Sequence, residues 1–152
     1  MRVYVARHGE AEGGGADRRR RLTARGRERV ERLGRALAAD GVAVTSVRHS
    51  GRARAAETAE ILARHLGGAV DPRPLAELDP DADPLAASRW IEGQRVPMLL
   101  VGHLPLVERL VAVLEGVSPE DPRRSFPAGA VACLERDGDG AWEVLWVRMD
   151  DH

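Results

Sequence analysis

Residues 2–6, 42–47 and 97–101 are short apolar runs, and after each the pattern turns polar and then takes up a helical period. Strands alternating with helices in this way favour an α/β sandwich over an all-helical or all-strand fold. Arg2–Ala6 reads as a buried first strand. Thr23 is an N-cap for a helix to about Ala39 with Val30, Leu33 and Leu37 on one face, and Gly41 ends it. Val42–Val47 reads as the second strand and stops at His49-Ser50-Gly51. A helix from about Arg54 to Leu66 turns Ala55, Ala59, Leu62 and Leu66 inward, and Gly67-Gly68 stops it. The Pro- and Asp-rich stretch Asp71–Pro84 is expected to be an ordered loop or lid, and Leu85–Glu92 a short helix. Pro97–Val101 is a buried strand, after which Gly102-His103-Leu104-Pro105 opens a helix carrying Val107, Leu110, Val111 and Leu114. Pro105 suits that helix's first turn, where a missing N–H costs nothing. Ala130–Glu135 and Trp142–Arg148 are expected to close the chain as a hairpin about Asp137-Gly138-Asp139-Gly140. The whole is a three-layer α/β/α sandwich with a mostly parallel sheet and an antiparallel edge.

A length of 152 residues suits one domain, 1–152, around one core. Aromatic residues are only 3%, so Leu, Val, Ile and Ala must fill that core. The 23 basic residues, every one an arginine, oppose 24 acidic ones for a net charge of −1, which offers no basic surface for nucleic acid or an anionic membrane. Arg18–Arg21 is the one strong basic run. The single cysteine, Cys133, lies in an apolar run, cannot form an intramolecular disulfide, and suits a reducing compartment. No apolar stretch reaches transmembrane length, and Val3–Ala6 is cut off by Arg7 and His8, unlike a signal peptide. A cytoplasmic, monomeric protein is expected.

The polar residues of note fall at three strand-to-helix junctions: Arg7-His8-Gly9 after the first strand, Ser50 and Arg54 after the second, Gly102-His103 after the third. In open α/β sheets ligands bind beyond the carboxyl ends of the strands, where helix N-termini suit phosphate. Two histidines and two arginines can therefore converge on one anion. Arginine grips phosphoryl oxygens with two donors and keeps its charge. A histidine nucleophile must be unprotonated, and neighbouring arginines favour the neutral ring. His103 and the arginines can stabilise the charge that develops on the transferring group. No histidine or cysteine spacing suits zinc, so neither metal nor other cofactor is expected. His49 adjoins the Ser50 turn, where a surface or packing role is expected ahead of one supporting the site, His65 suits the C-terminal dipole of its helix, and His152 is the last residue.

Arg7-His8-Gly9-Glu10 resembles the signature of the histidine phosphatase superfamily, which includes the phosphoglycerate mutases. Leu22-Thr23 with Gly26 resembles the family's Leu-Thr-x-x-Gly segment. Ser50-Gly51-Arg52-Ala53-Arg54-Ala55 with Thr58 resembles its Ser-Pro-x-x-Arg-Ala-x-Gln-Thr block, with Gly51 for Pro and Glu57 for Gln. Gly102-His103-Leu104-Pro105-Leu106-Val107 is similar to a segment of the bacterial SixA-type phosphohistidine phosphatases. The resemblance implies a phosphoglycerate mutase-like fold and a metal-independent phosphatase in which His8 is phosphorylated during turnover. Arg7, Arg54 and His103 would bind the phosphoryl oxygens beside Gly9, and Arg20 would join them, with Arg19 or Arg21 as alternatives. It implies a phosphohistidine-bearing protein as substrate, or else a small phosphate ester with Glu77 as the general acid.

Overall fold

In the computed structural model, which describes residues 1–150, a six-stranded sheet has the order β3-β2-β4-β1-β5-β6. The strands are β1 (Arg2–Arg7), β2 (Ser46–His49), β3 (Arg73–Pro74), β4 (Met98–Gly102), β5 (Val131–Arg136) and β6 (Trp142–Arg148). The helices are α1 (Ala24–Ala39), α2 (Ala53–Leu66), α3 (Pro84–Glu92) and α4 (Leu106–Glu115). β1, β4, β2 and β3 run parallel, while β5 and β6 are antiparallel additions at one edge, as the sequence suggests.

Alternation along the strands explains the three layers. On β1, Tyr4 and Ala6 join the core beneath α1 and α2, whereas Val3 and Val5 join the core beneath α3 and α4. Leu99 and Val101 of β4 face the first core, and Met98 and Leu100 the second. With both faces covered, the central strands read as unbroken apolar runs, which is why they are visible in the sequence.

Two expectations need correction. The second strand begins at Ser46, not Val42. Val42, Val44 and Thr45 donate their N–H groups to the carbonyls of Leu37, Leu66 and Pro97, so this run closes helix ends before it joins the sheet. The Asp71–Pro84 stretch is not all loop, because Arg73–Pro74 forms the edge strand β3 and Ala76–Leu78 one turn of 3-10 helix. A two-residue strand of Arg and Pro has no apolar alternation by which to be recognised.

Thr23 caps α1 as expected, its Oγ1 accepting from the Gly26 N–H at 2.9 Å. Gly26 is required here for closeness: a Cβ would lie well inside contact distance of the Glu10 carbonyl oxygen. Gly26→Ala is therefore expected to destabilise the fold by about 1–3 kcal/mol, since neither backbone can yield, with the denaturant midpoint as readout. Of the remaining polar side chains noted in the sequence, His65 finds a partner across the helix pair, with Nε2 2.6 Å from Glu31 Oε2, and Cys133 is buried. His152 lies outside the described residues. Among the described residues, no helix is long and apolar enough to cross a membrane.

Candidate active site

The register of the sheet sets the site. Arg7 lies opposite Gly102, and Val101 lies beside both Ala6 and His49, so β1, β4 and β2 end at one level. Beyond that edge opens a cleft of about 540 Å³ lined by Arg7, His8, Gly9, Arg20, Arg54 and His103. Each of these was singled out in the sequence, and the fold brings them to one place. Glu77 does not line the cleft. Its loop contributes Pro80 and Asp81 instead.

His8 leaves β1 with its N–H donated to the Gly102 carbonyl at 3.1 Å, while its own carbonyl accepts from Gly129 at 2.9 Å. Nδ1 lies 2.7 Å from the Gly9 carbonyl oxygen. A carbonyl only accepts, so Nδ1 carries the proton and a neutral ring keeps its lone pair on Nε2. Burial holds the ring's pKa down at about 4, and the charges of Arg54, Arg7 and Arg20 push the same way against the raising effect of the Gly9 bond. The arginine effect inferred from sequence is thus present but second to desolvation.

The His103 ring stands with its centroid 4.9 Å from that of His8. It is held at about pKa 3, by burial first and then by His8, Arg54 and Arg52. Its Nε2 lies 2.6 Å from Ser50 Oγ, and that oxygen accepts from the Arg52 N–H at 3.2 Å. His49 completes this turn, its Nδ1 accepting from Gly51 N–H at 3.0 Å. Gly51 has φ +93°, a conformation closed to proline, so the departure from the family's Ser-Pro is a different turn stapled by its own side chains.

Arg54, only 5% exposed, sits in the first turn of α2, where burial and the nearby Arg20 and Arg52 lower its pKa. Thr58 connects it to the first junction: Oγ1 donates to the Arg54 carbonyl at 2.8 Å and accepts from the Gly9 N–H at 3.0 Å. A Cβ on Gly9 would meet Val30 at 2.8 Å, so this strand end can lie close to α1 only as glycine. Glu57, at the position where the family's block has Gln, accepts the Leu22 N–H at 2.9 Å. Arg7 donates through Nη1 to the Phe126 carbonyl at 3.0 Å. Its Nε and His103 Nδ1 are buried with no hydrogen-bond partner among the described residues. Orphaned polar atoms beside a cluster of guanidinium groups suit an anionic ligand rich in acceptors. Of the arginine run, Arg20 alone lines this cleft.

Arg52 and Asp17 of the cleft, and Asp79 beside Arg52, escape a sequence reading. Arg52 pairs with Asp79 through two bonds of 2.8 and 3.2 Å and also with Asp17, and Asp17 pairs with Arg20 and Arg54. The only hint was Arg52's place in the Ser50–Arg54 turn. Among the described residues, no cluster of His, Cys, Asp and Glu is arranged to hold a metal ion.

The structure can be superimposed on that of a protein histidine phosphatase SixA complexed with tungstate, with a TM-score of 0.86 and 29% identity over 99% of this chain and 97% of that one. It also resembles the alpha-ribazole phosphatase from Shigella flexneri, with a TM-score of 0.75 and 20% identity over 100% of this chain and 96% of that one. No curated protein matches the chain by sequence. The model of the histidine phosphatase superfamily (branch 1) matches residues 3–80, a span that holds Arg7, His8, Arg20 and Arg54. With half of the sequence and the whole fold in agreement, the chain belongs to the histidine phosphatase superfamily.

Proposed function

We propose that this chain is a metal-independent phosphohistidine phosphatase that removes the phosphoryl group from a protein by way of phosphorylated His8. The observation that carries the reading is the His8 Nδ1–Gly9 contact at 2.7 Å, which leaves Nε2 with a free electron pair in a cleft walled by Arg7, Arg20 and Arg54. In the first step Nε2 forms a bond to phosphorus as the P–N bond of a substrate phosphohistidine, protonated on its other ring nitrogen, breaks; the departing nitrogen keeps the electron pair and neutral imidazole leaves. Water then attacks phospho-His8, the new P–N bond breaks, and inorganic phosphate leaves with neutral His8 restored. Arg7, Arg20, Arg54 and His103 hold the phosphoryl oxygens through both steps. Imidazole leaves far more readily than an alkoxide, so this reaction has little need of a general acid. The position of Glu77 outside the cleft favours it over ester hydrolysis, for which Glu77 was the expected acid. A monomer working in a reducing cytoplasm belongs to the same reading, and the free, buried Cys133 fits it.

The reading is tested by incubating the protein with a phosphohistidine-bearing protein and with a panel of phosphate esters, each with and without EDTA. Dephosphorylation of the protein, unaffected by EDTA, is expected. Turnover of esters alone would overturn the substrate, and loss of activity with EDTA the mechanism.

The histidine pKa values add a pH prediction. With His8 neutral down to about 4, kcat/KM should stay level from neutral pH to near pH 5 and fall only below that. Stability should follow a different profile. Both rings lie below the ordinary 6.5, so the unfolded chain binds protons first as the pH drops. Stability is complete above pH 6.5 and is lost as the pH falls through the folded values of about 4 and about 3. Parallel pH series of activity and thermal melting check the two curves.

A further inference from the structure

Asp17 stands at the outer lip of the cleft, at the start of a one-turn 3-10 helix, Asp17–Arg19, that contributes no buried residue. Residues 12–19 are exposed, and Gly13-Gly14-Gly15 precedes them. Little packing therefore fixes this segment, and its attachment to the body of the protein is polar. The Asp17 carbonyl accepts from Arg54 Nη1 at 2.7 Å. The carboxylate does more. Oδ1 accepts from Arg20 Nη2 at 2.6 Å and lies 3.3 Å from Arg54 Nη2, while Oδ2 lies 3.4 Å from Arg54 Nη2 and pairs with Arg52 Nη1. A side chain that is 47% exposed is thus gripped by three guanidinium groups, two of which, Arg20 and Arg54, are the ones assigned to phosphoryl oxygens.

A carboxylate and a phosphoryl group cannot share the same donors. Each presents oxygens to Arg20 and Arg54, and their like charges repel at that separation. We propose that Asp17 is an intramolecular occupant of the arginine site, seated there until a substrate's phosphoryl group evicts it. This inference rests on the phosphoryl-binding roles given above to Arg20 and Arg54. Eviction leaves Arg52 still paired with Asp79, so a single carboxylate moves out and the far wall stays in place.

The consequence is selection by what surrounds the phosphoryl group. Eviction raises the dissociation constant of every phosphoryl ligand by the same factor, the inverse of the fraction of molecules with Asp17 out. A small ion has no contacts beyond its oxygens to set against that factor. A phosphorylated protein also touches the rim, and it binds in spite of it. The same contact speeds the departure of inorganic phosphate after turnover.

If Asp17 served only to hold the arginines in position, its loss would weaken anion binding; as an occupant, its loss strengthens it. The test is calorimetric titration of inorganic phosphate into the full chain, comparing wild type, Asp17→Asn and Asp81→Asn at one ionic strength. Asp81 lines the same cleft but bonds none of these arginines, so it reports the effect of removing a nearby charge alone. Asp17→Asn is expected to bind phosphate about 10-fold more tightly, and Asp81→Asn less than about 2-fold more tightly. Unchanged or weaker binding by Asp17→Asn, or an equal gain in Asp81→Asn, overturns the proposal while leaving the functional reading intact. No binding by any of the three would remove the phosphoryl site itself, and the proposal with it.

Discussion

Replacing His8 with alanine is expected to lower turnover by about 10⁴-fold or more, the scale seen when a covalent nucleophile is lost. The expectation follows from the proposed chemistry: without Nε2 no phosphoenzyme forms, and the remaining groups can only orient a water against the substrate. Arg7, Arg20 and Arg54 stay in the cleft, so His8→Ala should still bind inorganic phosphate within a few-fold of wild type. Its stability should change little, because the ring is a desolvated group whose one described bond is to the adjacent Gly9. Loss of activity with phosphate binding and melting temperature retained would separate a nucleophile from a structural histidine.

Arg54→Ala should give the second large effect, a fall in kcat/KM of about 10²–10³-fold, comparable to removing one donor from an oxyanion site. Arg54 is the most deeply placed of the cleft arginines, anchored in the first turn of α2 and tied through Thr58 to the Gly9 amide beside His8. A shift of its guanidinium is therefore a shift of the nucleophile's neighbour. Arg54→Lys should recover little, since an ammonium cannot reproduce the fork that spans two phosphoryl oxygens. Full recovery in the lysine variant would mean that Arg54 contributes charge alone. Steady-state kinetics on a phosphohistidine-bearing protein checks both variants.

What the sequence revealed, and what it hid, follows from how each residue is held. The strands β1 and β4 are buried on both faces and announce themselves as apolar runs, and α1 and α2 carry a cap, an apolar stripe and a glycine stop. His8, Arg54 and His103 could be placed because each follows such an element at a fixed short distance, so that knowing the strand is knowing the junction. Arg20 is different. It hangs from an exposed segment with no apolar pattern, and the arginine run left Arg19 and Arg21 as alternatives to it; of the three, Arg20 lines the cleft. Glu77 is different again: the loop was identified, but Glu77 lies in a 3-10 turn over Ala76–Leu78 and does not line the cleft, whereas Asp81 of the same loop does. The pairing of Asp17 with three arginines is a property of tertiary structure alone. Its partners lie 3, 35 and 37 residues away and share no period with it.

Covalent capture of the intermediate probes the nucleophile itself. The protein is mixed with a phosphohistidine-bearing protein, quenched within the first turnover under alkaline conditions that preserve phosphoramidates, digested and mapped by mass spectrometry, with ³¹P NMR to identify the nitrogen. One acid-labile phosphate per chain is expected, on Nε2 of His8, because Nδ1 is engaged with the Gly9 carbonyl. A label on another residue, on Nδ1 of His8, or no label while substrate is being consumed would contradict it.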